Sequence, residues 1–301
     1  MAKLHWKMHW LWAGWVLMNE AEKSSDLIHA HGQRGVLPAL QGLLRERRLC
    51  MVMVRQELNN RYLGASLGGV WNWLMPLLML AVYALVFGQV LQMRWPMARS
   101  NSPMEFVATL FAGLLVINLF SDMVGRAAAS LPGQANLIKK VVFPLQILAL
   151  GLAGGALVNG VVSVALLMGL LLVSGAEVWS SWLAIPLVLL PVVLLGLGWT
   201  WLISASAVYL RDIGPVVQAF LSALVFLTPV FYPLSAIPES WRGWVGGNPL
   251  AVAVEQLRGA AIYGVWPQWD AWAWSMFVSV LIALAGLWWF ERVRDGFADV
   301  L

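Results

Sequence analysis

The chain has 301 residues, of which 60% are hydrophobic and 11% charged, where an ordinary soluble domain carries about a quarter charged residues. That balance excludes a soluble enzyme and defines an all-α polytopic membrane protein. The net charge of +4 belongs to basic residues flanking apolar spans, where orientation and anionic lipid headgroups account for it, so no nucleic-acid partner is expected.

Residues 1–36 form a poorly defined amino-terminal extension that mixes Trp6, Trp10, Trp12 and Trp15 with a polar run from Asn19 to Ser25. Lys3 and Lys7 resemble a signal-peptide n-region, but the apolar core that follows is short and no small-residue cleavage site follows it. The segment reads as a cytoplasmic interfacial extension, or as an overlong reading frame whose true start is Met18. All four histidines precede the first long apolar run, and Cys50 stands alone. An internal disulfide is therefore excluded and no metal site is expected.

Between Leu37 and Tyr62, Leu40, Leu43, Leu44, Met51, Val54 and Leu58 alternate with Arg45, Arg47, Arg48, Arg55 and Arg61 at near-helical spacing. This is the pattern of an amphipathic helix (37–62) in the headgroup plane of the inner leaflet, or of a solvated helix packed on a soluble partner. A six-span transmembrane domain (63–295) and a cytoplasmic tail (296–301) follow. The spans are expected near Leu67 to Leu91, Glu105 to Gly125, Pro144 to Val173, Trp182 to Leu210, Pro215 to Tyr232 and Ala271 to Phe290, each an uncharged run long enough to cross. With the amino terminus inside, the cytoplasmic segments hold all of the 19 Lys and Arg residues except Arg94, Arg99, Arg242 and Arg258. Both termini are accordingly expected in the cytoplasm.

The segment between the second and third spans, LPGQANLIKKVVFP, is bracketed by Pro132 and Pro144 and is long enough for two or three helical turns. It would serve as a docking lever for a cytoplasmic protein, or as a plain positive-inside loop. Gly151-x-x-x-Gly155 at the start of the third span permits close helix contact, within the chain or between copies. The stretch from Arg211 to Gly259 opens on Arg-Asp, crosses uncharged residues to Tyr232 and breaks at Pro233 and Pro238. It then offers an apolar run from Pro249 to Ile262 too short to span a bilayer. Backbone that dips and returns is tolerated only against protein or a water-filled lumen. The 19 tryptophans anchor span ends at the headgroups, or face the lumen and stack on sugar rings.

No Asp, Glu, Lys, Arg or His lies at depth, since Asp122, Glu177, Asp270 and Glu291 sit at span edges. A self-powered ion-coupled transporter would need such groups. No Gly-x-x-x-x-Gly-Lys-Ser/Thr loop is present, so uphill transport would need energy from another polypeptide. Asp122, Glu105 and Asp212 form no recognisable pair, which argues against a membrane enzyme acting on polyprenyl-linked sugars.

Three stretches in this order resemble the membrane subunit of bacterial type-2 ATP-binding-cassette exporters for O-antigen, teichoic acid and capsular polysaccharide. They are RQELNNRYLGASLGGVWNWLMPLLMLAVYALVFG from Arg55 to Gly88, ANLIKKVVFP from Ala135 to Pro144, and RDIGPVVQAFLSALVFLTPVFYPLSAIP from Arg211 to Pro238 with Asn-Pro-Leu at Asn248. The resemblance implies a homodimeric inner-membrane pore with two copies of a separate ATPase subunit that holds ATP and Mg²⁺; this chain itself would carry no cofactor and no catalytic residue. It implies a coupling helix of Asn136, Leu137, Ile138, Lys139, Lys140, Val141 and Val142 seated in the ATPase. Pro233 to Gly264 would form two short re-entrant helices, with Asn248, Pro249, Glu255 and Arg258 among their residues. Glu255 and Arg258, at i and i+3, would contact substrate or pair with each other. The expected cargo is a polyprenyl-diphosphate-linked polysaccharide drawn to Arg55, Arg61 and Arg211 on the cytoplasmic rim. It would pass an uncharged lumen lined by Trp71, Trp73, Tyr83, Phe87, Phe226, Phe231 and Tyr232. A permease for a small molecule or lipid shares the same six-span plan.

Overall fold

The computed structural model describes residues 36–61, 67–90, 103–134 and 145–300. The coupling segment Asn136 to Val142 and nearly all of the amino-terminal extension lie outside them. Among the described residues every regular element is helical and no strand occurs. Five helices among the described residues are long and apolar enough to cross a membrane.

The amphipathic region forms two helices, α1 (Val36–Arg45) and α2 (Arg47–Arg61), joined at Glu46. The first span is α3 (Trp71–Tyr83), which widens into a π-helical turn over Ala84–Val90. α4 (Pro103–Val124) leads through a turn at Gly125 and Arg126 into the short α5 (Ala127–Ser130). The third and fourth spans are α6 (Ile147–Val173) and α7 (Ile185–Ala207). Next come α8 (Ile213–Leu227), α9 (Glu239–Gly246) and α10 (Pro249–Ala261), and finally α11 (Trp269–Val293) and α12 (Phe297–Val300).

α4 is the axis of the bundle. From Phe106 to Phe120 all its residues are buried except Asn118, and it packs against α6, α7 and α10. α7 packs most extensively on α11. Their backbones touch because both sides lack a side chain: a Cβ on Gly286 would overlap the carbonyl of Gly198, and one on Gly198 would lie 2.5 Å from the carbonyl of Ile282.

The glycines at the start of α6 receive α2. A Cβ on Gly151 would meet Met53 at 3.1 Å, one on Gly154 would overlap Val54, and one on Gly155 would meet Glu57 at 2.9 Å. The small-residue stripe is thus an intramolecular seat for the second amphipathic helix. That helix packs on α6 through Met53, Val54, Glu57 and Arg61.

The apolar run ending at Tyr232 corresponds to a 15-residue helix, α8, that stops at Leu227. Thr228 adopts extended geometry (φ −106°, ψ 144°) because Pro229 disfavours the helical region for the residue before it. At about 1.5 Å per residue α8 spans roughly 22 Å, short of a core of about 30 Å. α10 begins where its sequence says it should. The Asn248 side chain accepts from the Leu250 N–H at 3.0 Å, with Pro249 at the first helical position.

Candidate functional site

Four of the seven aromatics expected to line a path converge, two from the end of α3 and the π-helical turn after it and two from the end of α8 and the turn beyond it. Tyr83 and Phe87 lie where α3 turns into the π-helix, with ring centroids 6.3 Å apart. Phe87 stands 6.1 Å from Phe106 and 6.4 Å from Phe231, which in turn lies 5.9 Å from Phe226. These tilted rings form a continuous row from α3 past α4 to the broken end of α8. The Tyr232 hydroxyl donates to the carbonyl of Phe226 at 2.8 Å, closing the turn that presents Phe231. Trp71 lies apart from the row, against a cleft beside α4, while Trp73 faces outward and is 51% exposed. Phe106 was not among the expected residues, because an aromatic inside an unbroken apolar run has no spacing that marks it.

Behind the row, Arg258 is 1% exposed and ties three elements together. Its Nε donates to the carbonyl of Thr109 at 3.1 Å, its Nη1 to that of Pro229 at 2.8 Å, and its Nη2 to that of Val230 at 2.7 Å. Nη1 also reaches Glu255 Oε1 at 2.8 Å. The i, i+3 pair therefore forms, and the buried guanidinium satisfies carbonyls left open where α8 breaks. Five donors in a fixed fork suit that task as an ammonium would not. Gly113 leaves the room, since a Cβ there would come within 3.0 Å of Arg258 Nη2.

A second polar centre joins α2, α4 and α6. Arg61 Nη1 donates to Asp122 Oδ2 at 2.5 Å, and Asn159 Nδ2 donates to the same oxygen at 2.9 Å. Glu57 lies 3.4 Å from Arg61 Nε and also pairs with Arg126. Asp122 is therefore partnered across 61 residues, and the Arg61 side chain is only 8% exposed. Arg55 and Arg211, the other two rim arginines, are exposed. Of the remaining expected residues, Asn248 and Pro249 start α10, and Pro233 precedes a single turn over Leu234–Ala236.

A bundle with five apolar helices of membrane-spanning length among the described residues, an aromatic row and buried ionic supports is the frame of a polytopic membrane protein. The chain belongs to the ABC-2 type transporter family, whose profile matches residues 48–262. It is similar to the O-antigen export system permease protein RfbA of Myxococcus xanthus, 33% identical over 264 residues that cover 85% of this chain and 96% of the relative. A protein of the same name from Klebsiella pneumoniae is 24% identical over 84% of this chain and 95% of its own length. The inner membrane transport permease YadH of Escherichia coli (strain K12) is 26% identical over 61% of this chain and 72% of its own length.

Proposed function

We propose that this chain is the permease subunit of an ATP-driven exporter that moves lipid-linked polysaccharide, O-antigen above all, across the bacterial inner membrane. The observation that carries this reading is the likeness, along nearly the whole chain, to permeases named for O-antigen export. The aromatic row supports it, because rings that bind sugar C–H faces weakly let a repeating polymer enter and leave.

In this reading six spans cross, with both termini in the cytoplasm. α8 completes the fifth crossing through the extended residues 228–232, whose carbonyls Arg258 covers as lipid cannot. α9 and α10 are the re-entrant pair at the exit. A second copy of the chain completes the pore, and two ATPase subunits hold ATP and Mg²⁺ and act on the segment from Asn136 to Val142. Arg55 and Arg211, both exposed, attract the diphosphate of the polyprenyl carrier, while Arg61 holds α2 to α4. The subunit makes and breaks no bond.

A null strain tests the proposal, with surface polysaccharide scored by gel and the membrane extracted for lipid-linked glycan. Loss of surface polymer with long lipid-linked chains retained inside is the expected result. Normal surface polymer would overturn it in favour of a small-molecule or lipid cargo. Loss of polymer without internal chains would point to synthesis.

A further inference from the structure

A cleft of 390 Å³ opens between α3, α4 and α6 beside the ionic centre, with Asp122 but not Arg61 in its lining. Its size falls within the roughly 300–1,000 Å³ of small-molecule sites. Three helices turn polar side chains into it. Asn118, Ser121 and Asp122 share one face of α4 at i, i+3 and i+4, Asn159 and Ser163 share one face of α6 at i and i+4, and Asn72 comes from α3. Trp71 and Tyr83 add aromatic surface, and Met75 and Met79 an adaptable apolar wall.

The hydrogen-bonding state of these groups selects the ligand. Asn159 spends one N–H on Asp122, and its Oδ1 is buried away from the cleft, so this residue orients the carboxylate and does not serve the ligand. Ser163 donates to the carbonyl of Asn159 at 2.9 Å, so its oxygen remains an acceptor. Asn118 is the one exposed residue in an otherwise buried stretch of the central helix. Polar groups at membrane depth cost several kcal/mol each if lipid covers them, so the cleft must hold something that hydrogen-bonds. No Lys or Arg lines it, and a carboxylate borders it. That excludes a phosphate and favours a neutral donor of several hydroxyls.

We propose that the cleft between α3, α4 and α6 is a subsite for a neutral sugar unit, with Asn118 and Ser163 as its hydrogen-bonding groups and Trp71 or Tyr83 against the ring face. The proposal rests on the export reading and deepens it. It separates recognition of the uncharged glycan from attraction of the carrier diphosphate, which the exposed arginines perform.

Two experiments on the full chain in cells test it. Benzoylphenylalanine in place of Asn118 is expected, on irradiation, to give a glycan-stained adduct of the permease severalfold above that from the same replacement at Phe277, which is exposed on α11. In parallel, Asn118→Leu is expected to lower surface polymer severalfold and accumulate lipid-linked glycan at normal membrane abundance, with Asn118→Gln restoring export. Absence of the adduct from a variant that reaches the membrane, or export by Asn118→Leu at the wild-type level, would show a merely hydrated cleft and overturn the assignment. If the null strain still lacks surface polymer, that result leaves export standing; normal polymer in the null strain overturns both readings.

Discussion

Arg258 donates to the carbonyl of Thr109 at 3.1 Å across 149 residues of sequence, so a guanidinium joins the short helix α10 to the central helix α4 in addition to their apolar packing. The same group covers the carbonyls of Pro229 and Val230. Placement of α10 and burial of the carbonyls beyond the end of α8, next to Phe231, therefore involve the same side chain.

Arg258→Met is expected to destabilise the detergent-solubilised protein by about 1–3 kcal/mol for each buried carbonyl it leaves unpaired. Most of that loss comes from the carbonyls, because the Glu255 side chain is 41% exposed and can turn to water. Arg258→Lys keeps the charge but loses the planar fork, so it should fall between wild type and Arg258→Met. Thermal unfolding measures the series. A methionine variant as stable as wild type would show that the network contributes nothing.

Arg61 and Asp122 should be energetically coupled. Asp122 is 24% exposed, which softens the isolated charge, so a double-mutant cycle with Arg61→Ala and Asp122→Ala is expected to give about 1–3 kcal/mol. The reversed pair Arg61→Asp with Asp122→Arg should recover part of what either reversal loses alone. Additive losses in the cycle would mean that α2 is held by apolar contact with the α6 glycines and not by charge.

What the sequence makes legible follows from which interactions are local. Uncharged runs of span length announce the long helices because hydropathy accumulates along a helix. The Asn248-Pro249 start of α10 and the Glu255–Arg258 pair are equally local, and both are present. Arg61 and Asp122 meet only because two helices happen to cross, and no spacing announces that. The end of α8 shows a conflict between two local signals: apolar character continues to Tyr232, whereas Pro229 stops the helix at Leu227. Tyr83, Phe87, Phe226 and Phe231 are candidates as aromatic residues, but their convergence with Phe106 belongs to tertiary packing.

Two glycine substitutions should separate in sign. Gly286→Ala places a methyl group against the backbone of Gly198, and a backbone cannot rotate away, so a loss of about 1–3 kcal/mol or more is expected. Gly169→Ala meets nothing within 4 Å and should stabilise its helix by about 0.5–1 kcal/mol, the usual difference between the two residues in a helix interior. Unfolding midpoints of the two variants decide this. Equal shifts would contradict the close crossing of α7 and α11.

Cys50, the single cysteine of the chain, offers a titration free of competing thiols. Burial raises its pKa above the ordinary thiol value, its own backbone partly offsets that by hydrogen bonding, and the carboxylate of Glu46 raises it further. The thiolate is the nucleophile, so a raised pKa means less thiolate at neutral pH and slower alkylation. The rate of maleimide labelling should keep climbing past the pH at which an ordinary cysteine levels off, and Glu46→Gln should move the inflexion down. Restricted access alone would scale the rate equally at every pH and leave the inflexion in place. The position of the inflexion, and not the speed of labelling, therefore separates an electrostatic environment at the α1–α2 junction from simple shielding, and an inflexion at or below that of a free thiol would contradict the half-buried placement of Cys50 one turn from Glu46.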